Sequence, residues 1–194
     1  MRVFARVAAA IALPFVLSGA ALAAAAAPAA SPAPQPQSTT AVYGDWTLRC
    51  VQVNTPNQPA PQPGQPAQTT KHCELDQAIG VAGQQQPVAQ VAVGPDLSGT
   101  SIHLVAALPV GAWLPVAPAL KVNADAAPVP LSYKRCLPSA CFADTALSDD
   151  LRAAMSASKT PGVISFQMTE GKESTLPLSF NGFTAAYQAL QSAK

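Results

Sequence analysis

Histidine and charge are scarce in this chain. Two histidines and a charged fraction of 11% in 194 residues leave few groups for proton transfer or metal ligation. A serine–histidine–carboxylate triad would have to recruit His72 or His103. No Gly-x-Ser-x-Gly elbow, His-Glu-x-x-His helix or glycine-rich phosphate loop occurs in the sequence. The acidic pairs Glu74/Asp76 and Asp149/Asp150 are the remaining material for a glycosidase-type dyad, which needs a defined carboxylate separation that spacing does not supply. His103 reads as a core-edge residue bonded to a neighbour, His72 as a loop residue, and Glu74 and Asp76 as one face of an edge strand. We therefore expect no enzyme, no cofactor and no metal.

Basic residues are equally few. Without a leader carrying Arg2 and Arg6, 11 − 2 = 9 Lys plus Arg would face 10 Asp plus Glu. The one basic doublet, Lys134-Arg135, is too small to offset the repulsion of a phosphate backbone, so nucleic acid is not an expected partner. No internal repeat is visible.

Alanine and proline are abundant instead. The start, MRVFARVAAAIALPFVLSGAALA, places two arginines before an apolar run and then the small triplet Ala21-Leu22-Ala23, the layout of a secretory signal peptide over residues 1–23. Ala25 and Ala27 are alternative cleavage points, and an uncleaved anchor is the rival reading. No cysteine follows to accept a lipid, so membrane contact is expected only during export. Residues 24–40, rich in Ala, Pro and Gln, cannot bury enough apolar area to offset ordering and read as a tether. Residues 41–194 are expected to form a single β-rich domain. Within it, residues 54–70 hold five prolines and no large apolar side chain, the composition of a solvated loop leaning to polyproline II.

Short strand patterns fill the remainder. Val42, Trp46 and Leu48 open the domain. Residues 87–93 and 101–108 follow, the second setting Ile102, Leu104, Ala106 and Leu108 on one face and His103 with Val105 on the other. Residues 128–135, 162–168 and 174–180 continue the series. Two helices are expected. One follows Ser148, a capping residue with Asp149 and Asp150 in its first turn; the other repeats Phe183, Ala186, Tyr187 and Leu190 at helical spacing. Prolines 109, 115 and 118 deny a membrane helix to the apolar run LVAALPVGAWLPVAPAL, residues 104–120, which is expected to form a hairpin or a strand with a tight corner. The fold class is all-β: an antiparallel sandwich or flattened barrel with two short helices.

Four cysteines in an exported chain allow three pairings. Local pairing is the economical one. Cys50 with Cys73 brackets the proline-rich loop, and Cys136 with Cys141 closes a knuckle, constraining the unfolded chain by about 3.4 and about 2.2 kcal/mol on the loop-entropy model. Zinc would need reduced thiolates and two further ligands. A redox pair would need a two-residue spacing, where this knuckle has four. The disulfides read as structural staples.

Taken together, Tyr43-Gly-Asp-Trp-Thr-Leu-Arg-Cys50, Cys73-Glu-Leu-x-Gln77, Leu108-Pro-x-Gly-x-x-Leu-Pro115, Leu131-Ser-Tyr-Lys-Arg-Cys-Leu-Pro-Ser-Ala-Cys-Phe-Ala143 and Leu176-Pro-Leu-Ser-Phe-Asn-Gly-Phe183 resemble the invasion-associated locus B family of bacterial exported proteins. The resemblance runs from about Tyr43 to Leu190. It implies a periplasmic, secreted or surface-associated β-rich domain, linked in some pathogens to entry into host red cells, and it supplies no catalytic or ligand-binding residues. The expected role is a non-enzymatic binding or accessory module for an envelope or host protein. Its contact surface would be an exposed edge strand or the 104–120 segment, with Leu108, Val110, Trp113 and Leu114 as contact residues. The alternatives are a carrier of a small apolar ligand and an envelope hydrolase.

Overall fold

The computed structural model describes residues 38–54, 69–96, 98–168 and 171–193. The signal peptide, most of the expected tether and the centre of the proline-rich loop lie outside the described residues. Among the described residues no helix is long and apolar enough to cross a membrane.

Among the described residues eleven antiparallel strands form two sheets. The larger takes β1 (Ser38–Tyr43), β2 (Trp46–Asn54), β3 (Thr69–Ile79), β4 (Ala89–Pro95), β5 (Ile102–Leu108), β8 (Ser132–Cys136) and β9 (Cys141–Ala146) in the order β1-β2-β3-β4-β5-β9-β8. The smaller takes β6 (Ala119–Lys121), β7 (Val129–Pro130), β10 (Gly162–Gln167) and β11 (Glu173–Leu178) in the order β11-β10-β6-β7. Both sheets end in edges, so the architecture is sandwich-like and not a closed barrel.

Period-two burial drives the pairing. In β4 the buried residues are Ala89, Val91 and Val93, and in β5 Leu104, Ala106 and Leu108. They meet Ile164, Phe166, Leu176 and Leu178 of the smaller sheet in one continuous core. Helix α1 (Asp149–Ala157) is capped by Ser148, whose hydroxyl accepts from the Leu151 N–H at 3.2 Å, and it buries Leu151 and Met155. Helix α2 (Phe183–Ser192) buries Phe183, Ala186 and Leu190 against the β1–β2–β3 end of the larger sheet.

Several expectations change. Strand β1 takes in Ser38, Thr39 and Thr40, the end of the expected tether, because they pair with Val51, Cys50 and Arg49. The ends of the expected loop are strand as well, since Asn54 pairs with Thr69. Segment 104–120 takes the second of its two expected forms, a strand with a tight corner, and not the hairpin. β5 pairs with β4 and β9 in one sheet, and β6 pairs with β7 and β10 in the other, so the prolines between them make a corner linking the sheets. Strand β3 lies inside the larger sheet, which moves Glu74 and Asp76 from an edge to an interior strand and His72 from a loop to that same strand.

Disulfides join Cys50 to Cys73, directly paired residues of β2 and β3, and Cys136 to Cys141 across the β8–β9 turn.

Candidate functional site

One face of β3, β4, β5 and β9 packs on the core, and the other forms an open groove of about 670 Å³. Register explains its shape. Glu74 in β3 leads across Gly94 in β4 to His103 in β5, a neighbouring row runs Asp76, Ala92, Val105, Asp144, and a third runs Gln90, Ala107, Phe142. Small side chains at Ala92, Gly94 and Ala107 lower the floor between longer flanking ones.

Charge on the walls is mostly paired. Asp76 is nearly buried and accepts from Arg49 Nη2 at 2.8 Å and Gln90 Nε2 at 2.7 Å. Across the groove, Asp144 meets Lys134 Nζ at 3.1 Å and His103 Nδ1 at 3.3 Å. Arg135 lies over the Phe142 ring, 5.5 Å from its centroid. Glu74 is different: among the described residues it has no hydrogen bond or ion pair of its own. Burial pushes its carboxyl pKa above the ordinary 4.5 and the Asp76 charge adds to that, with His72 and Arg49 pulling the other way. The groove therefore holds, beside an apolar floor, a carboxyl with no direct hydrogen-bond or ion-pair partner among the described residues.

A raised carboxyl pKa has a definite sign. The folded state holds the proton longer than the unfolded chain, so ionised Glu74 opposes folding, and that opposition grows as pH rises through and above 4.5. Glu74→Gln should therefore raise the melting temperature at pH 7 and leave it unchanged near pH 3, as scanning calorimetry at the two pH values would show.

Asp144, His103 and Ser101 connect in the order of a hydrolytic triad, with His103 Nε2 3.1 Å from Ser101 Oγ. The hydroxyl proton is already committed. Ser101 Oγ donates to Asp96 Oδ2 at 3.0 Å, and hydrogen bonds led by Ser98 hold that carboxyl well below the usual carboxylate range. Asp96 also accepts from the Thr100 N–H at 3.0 Å, which makes the cluster a clamp on the β4–β5 turn. Its serine stays hydrogen-bonded to a carboxylate and is not poised for attack.

The expected contact surface divides. Leu108 is 1% exposed and belongs to the core, because it takes the inward parity of β5. Val110, Trp113 and Leu114 are 49%, 43% and 50% exposed, and Val116 stands out beside them. The Trp113 N–H bonds the Gln167 carbonyl at 2.8 Å and Ala112 bridges Met168, so the corner is fastened to β10. The expected acid pair Asp149/Asp150 sits on α1, away from the groove, where Asp149 pairs with Arg152 at 3.1 Å. Sequence reasoning missed the groove. Its signals were the alternation of His72, Glu74 and Asp76, and the small residues of β4.

Fold and site together define a disulfide-stapled two-sheet β domain with flanking helices and an open surface groove. The model of the invasion associated locus B (IalB) protein family matches residues 46–191, and the chain belongs to that family of bacterial exported proteins. Two disulfides agree with a compartment outside the cytoplasm. A similar solved structure is that of invasion associated protein b from Bartonella henselae, at 20% identity and a TM-score of 0.60, covering 79% of this chain and 95% of that one. No curated protein matches the chain.

Proposed function

We propose that this is an exported, non-enzymatic binding protein of the bacterial envelope, and that it holds a protein partner at the corner spanning residues 110–116. One observation carries the reading: four large apolar side chains, Val110, Trp113, Leu114 and Val116, stand exposed within seven residues. Three prolines and the anchorage to β10 hold that corner in place, so little conformational entropy is lost on contact. Exposed tryptophan in a rigid apolar patch is the composition of an interface hot spot. The family and the similar Bartonella protein are both named as invasion associated. That role belongs here only as the setting in which a partner would be met.

A photo-crosslinking amino acid at Leu114, activated in cells and followed by mass spectrometry, tests the site. Capture of one recurrent envelope or host protein is expected. Trp113→Ser should cut that capture by about tenfold or more, the usual effect of removing a hot-spot aromatic, without moving the melting temperature. A second reading, a small-ligand carrier, is favoured by the groove with its unpaired Glu74. It predicts no protein adduct at Leu114 and a co-purified small mass in native mass spectrometry.

A further inference from the structure

A sheet edge presents unpaired backbone N–H and C=O groups, and proteins guard such edges with charge, proline, bulges or brevity. Among the described residues the two sheets have four edges, and three of them are guarded. β8 carries Lys134 and Arg135, its register shifts between Tyr133 and Arg135, and it ends in the Cys136–Cys141 disulfide. β7 is two residues long and contains Pro130. β11 contains Glu173, Lys172 precedes it, and Pro177 interrupts its donors.

β1 has none of these devices. Its six residues, Ser-Thr-Thr-Ala-Val-Tyr, hold no charge and no proline, and pair with β2 in unbroken register from Ser38 to Tyr43. Ser38, Thr39 and Thr40 are exposed, and Val42 is 72% exposed, the most of any large apolar residue among those described. β-Branched residues make up half the strand, the composition that favours pairing.

We propose that β1 is a docking edge for a second copy of this chain, the two β1 strands pairing antiparallel about a twofold axis. The occupant follows from the strand's own chemistry. A twofold pairing brings every residue against its own sequence, so any charge would meet a like charge, and β1 alone among the long edges is neutral. The sheet face must also match across the axis, which requires partners of the same parity. Centring the axis on Ala41 satisfies this: Val42 of each copy lies beside Thr40 of the other, and Tyr43 beside Thr39. Both outward Val42 side chains are then covered, and two seven-stranded sheets become one.

The test is the mass of the mature chain by light scattering coupled to size-exclusion chromatography. Wild type is expected at twice the chain mass. Thr40→Lys/Val42→Lys and Thr40→Glu/Val42→Glu should each be monomeric with unchanged circular dichroism, and a mixture of the two should return to the doubled mass, since lysine then faces glutamate. A monomeric wild type, a dimer that survives both charged variants, or a mixture that stays monomeric would each overturn the proposal. Trp113→Ser, which tests the corner and its partner, should leave the doubled mass intact, so the two ideas fail separately.

Discussion

Gly182→Ala should destabilise the domain by about 4 kcal/mol or more, lowering its melting temperature by about 10 °C. A Cβ at residue 182 would run into the Tyr43 carbonyl, which is backbone, and the Cβ position is itself fixed by the main chain, so no rotamer relieves the clash. Its φ of +83° adds the ordinary penalty of a side chain in the left-handed region. Gly83 separates the two causes. Its φ is +86°, but nothing stands within 4 Å of its added Cβ, so Gly83→Ala should cost only about 1 kcal/mol. Equal effects of the two substitutions in chemical denaturation would show that conformation, and not the close approach to Tyr43, limits residue 182.

Trp46→Ala is the second large loss, about 4–5 kcal/mol. The indole is fully buried, packs against Phe183 with centroids 5.2 Å apart, and donates from Nε1 to the Ser179 carbonyl at 3.0 Å. Trp46→Phe keeps a ring and gives up the donor, so it should cost about 1–2 kcal/mol. If Trp46→Phe were as damaging as Trp46→Ala in the same denaturant series, the hydrogen bond would outweigh the packing. Either result reports on one clasp. Gln77 donates from Nε2 to the Ser179 carbonyl at 3.0 Å and accepts the Ser179 N–H at 2.8 Å, and Ser179 Oγ donates to Asp45 at 2.6 Å. The Asp45 N–H closes the ring on the Asn181 carbonyl at 3.1 Å.

That clasp explains much of the family resemblance. Asp45 and Trp46, Gln77, and Ser179 with Gly182 and Phe183 come from three of the stretches that carry it, and they meet at one place. These residues hold the β1–β2 turn and β3 to the segment entering α2. They make structure, which is why the resemblance gave no ligand site.

Legibility in the sequence tracked the range of the deciding interaction. Helix α1 was readable because its cap reaches three residues, and the inward face of β5 because alternation is local. Strand β9 was missed, since Cys141-Phe-Ala-Asp-Thr-Ala alternates small residues whose burial depends on β5 and β8. For the 104–120 run the strand with a tight corner was legible and the choice against a hairpin was not, because prolines announce a corner without saying which sheet receives the chain afterwards. The groove was invisible for the same reason: Glu74, Gly94 and His103 are neighbours only through register across three strands.

The Cys50–Cys73 bridge, finally, separates the proline-rich insertion from the architecture that carries it. Asn54 and Thr69 are paired neighbours, so the two positions that bracket residues 55–68 stand one strand spacing apart, about 5 Å, and the crosslink four pairs further along ties the same two strands together. Lengthening a flexible connection costs only about 0.6 kcal/mol per doubling, and here the bracketing positions are held by the β2–β3 ladder and the Cys50–Cys73 crosslink. The domain thus contains a grafting port. An epitope, a protease site or a small folded module with adjacent termini could be spliced between β2 and β3, and the scaffold beneath would register little of the change.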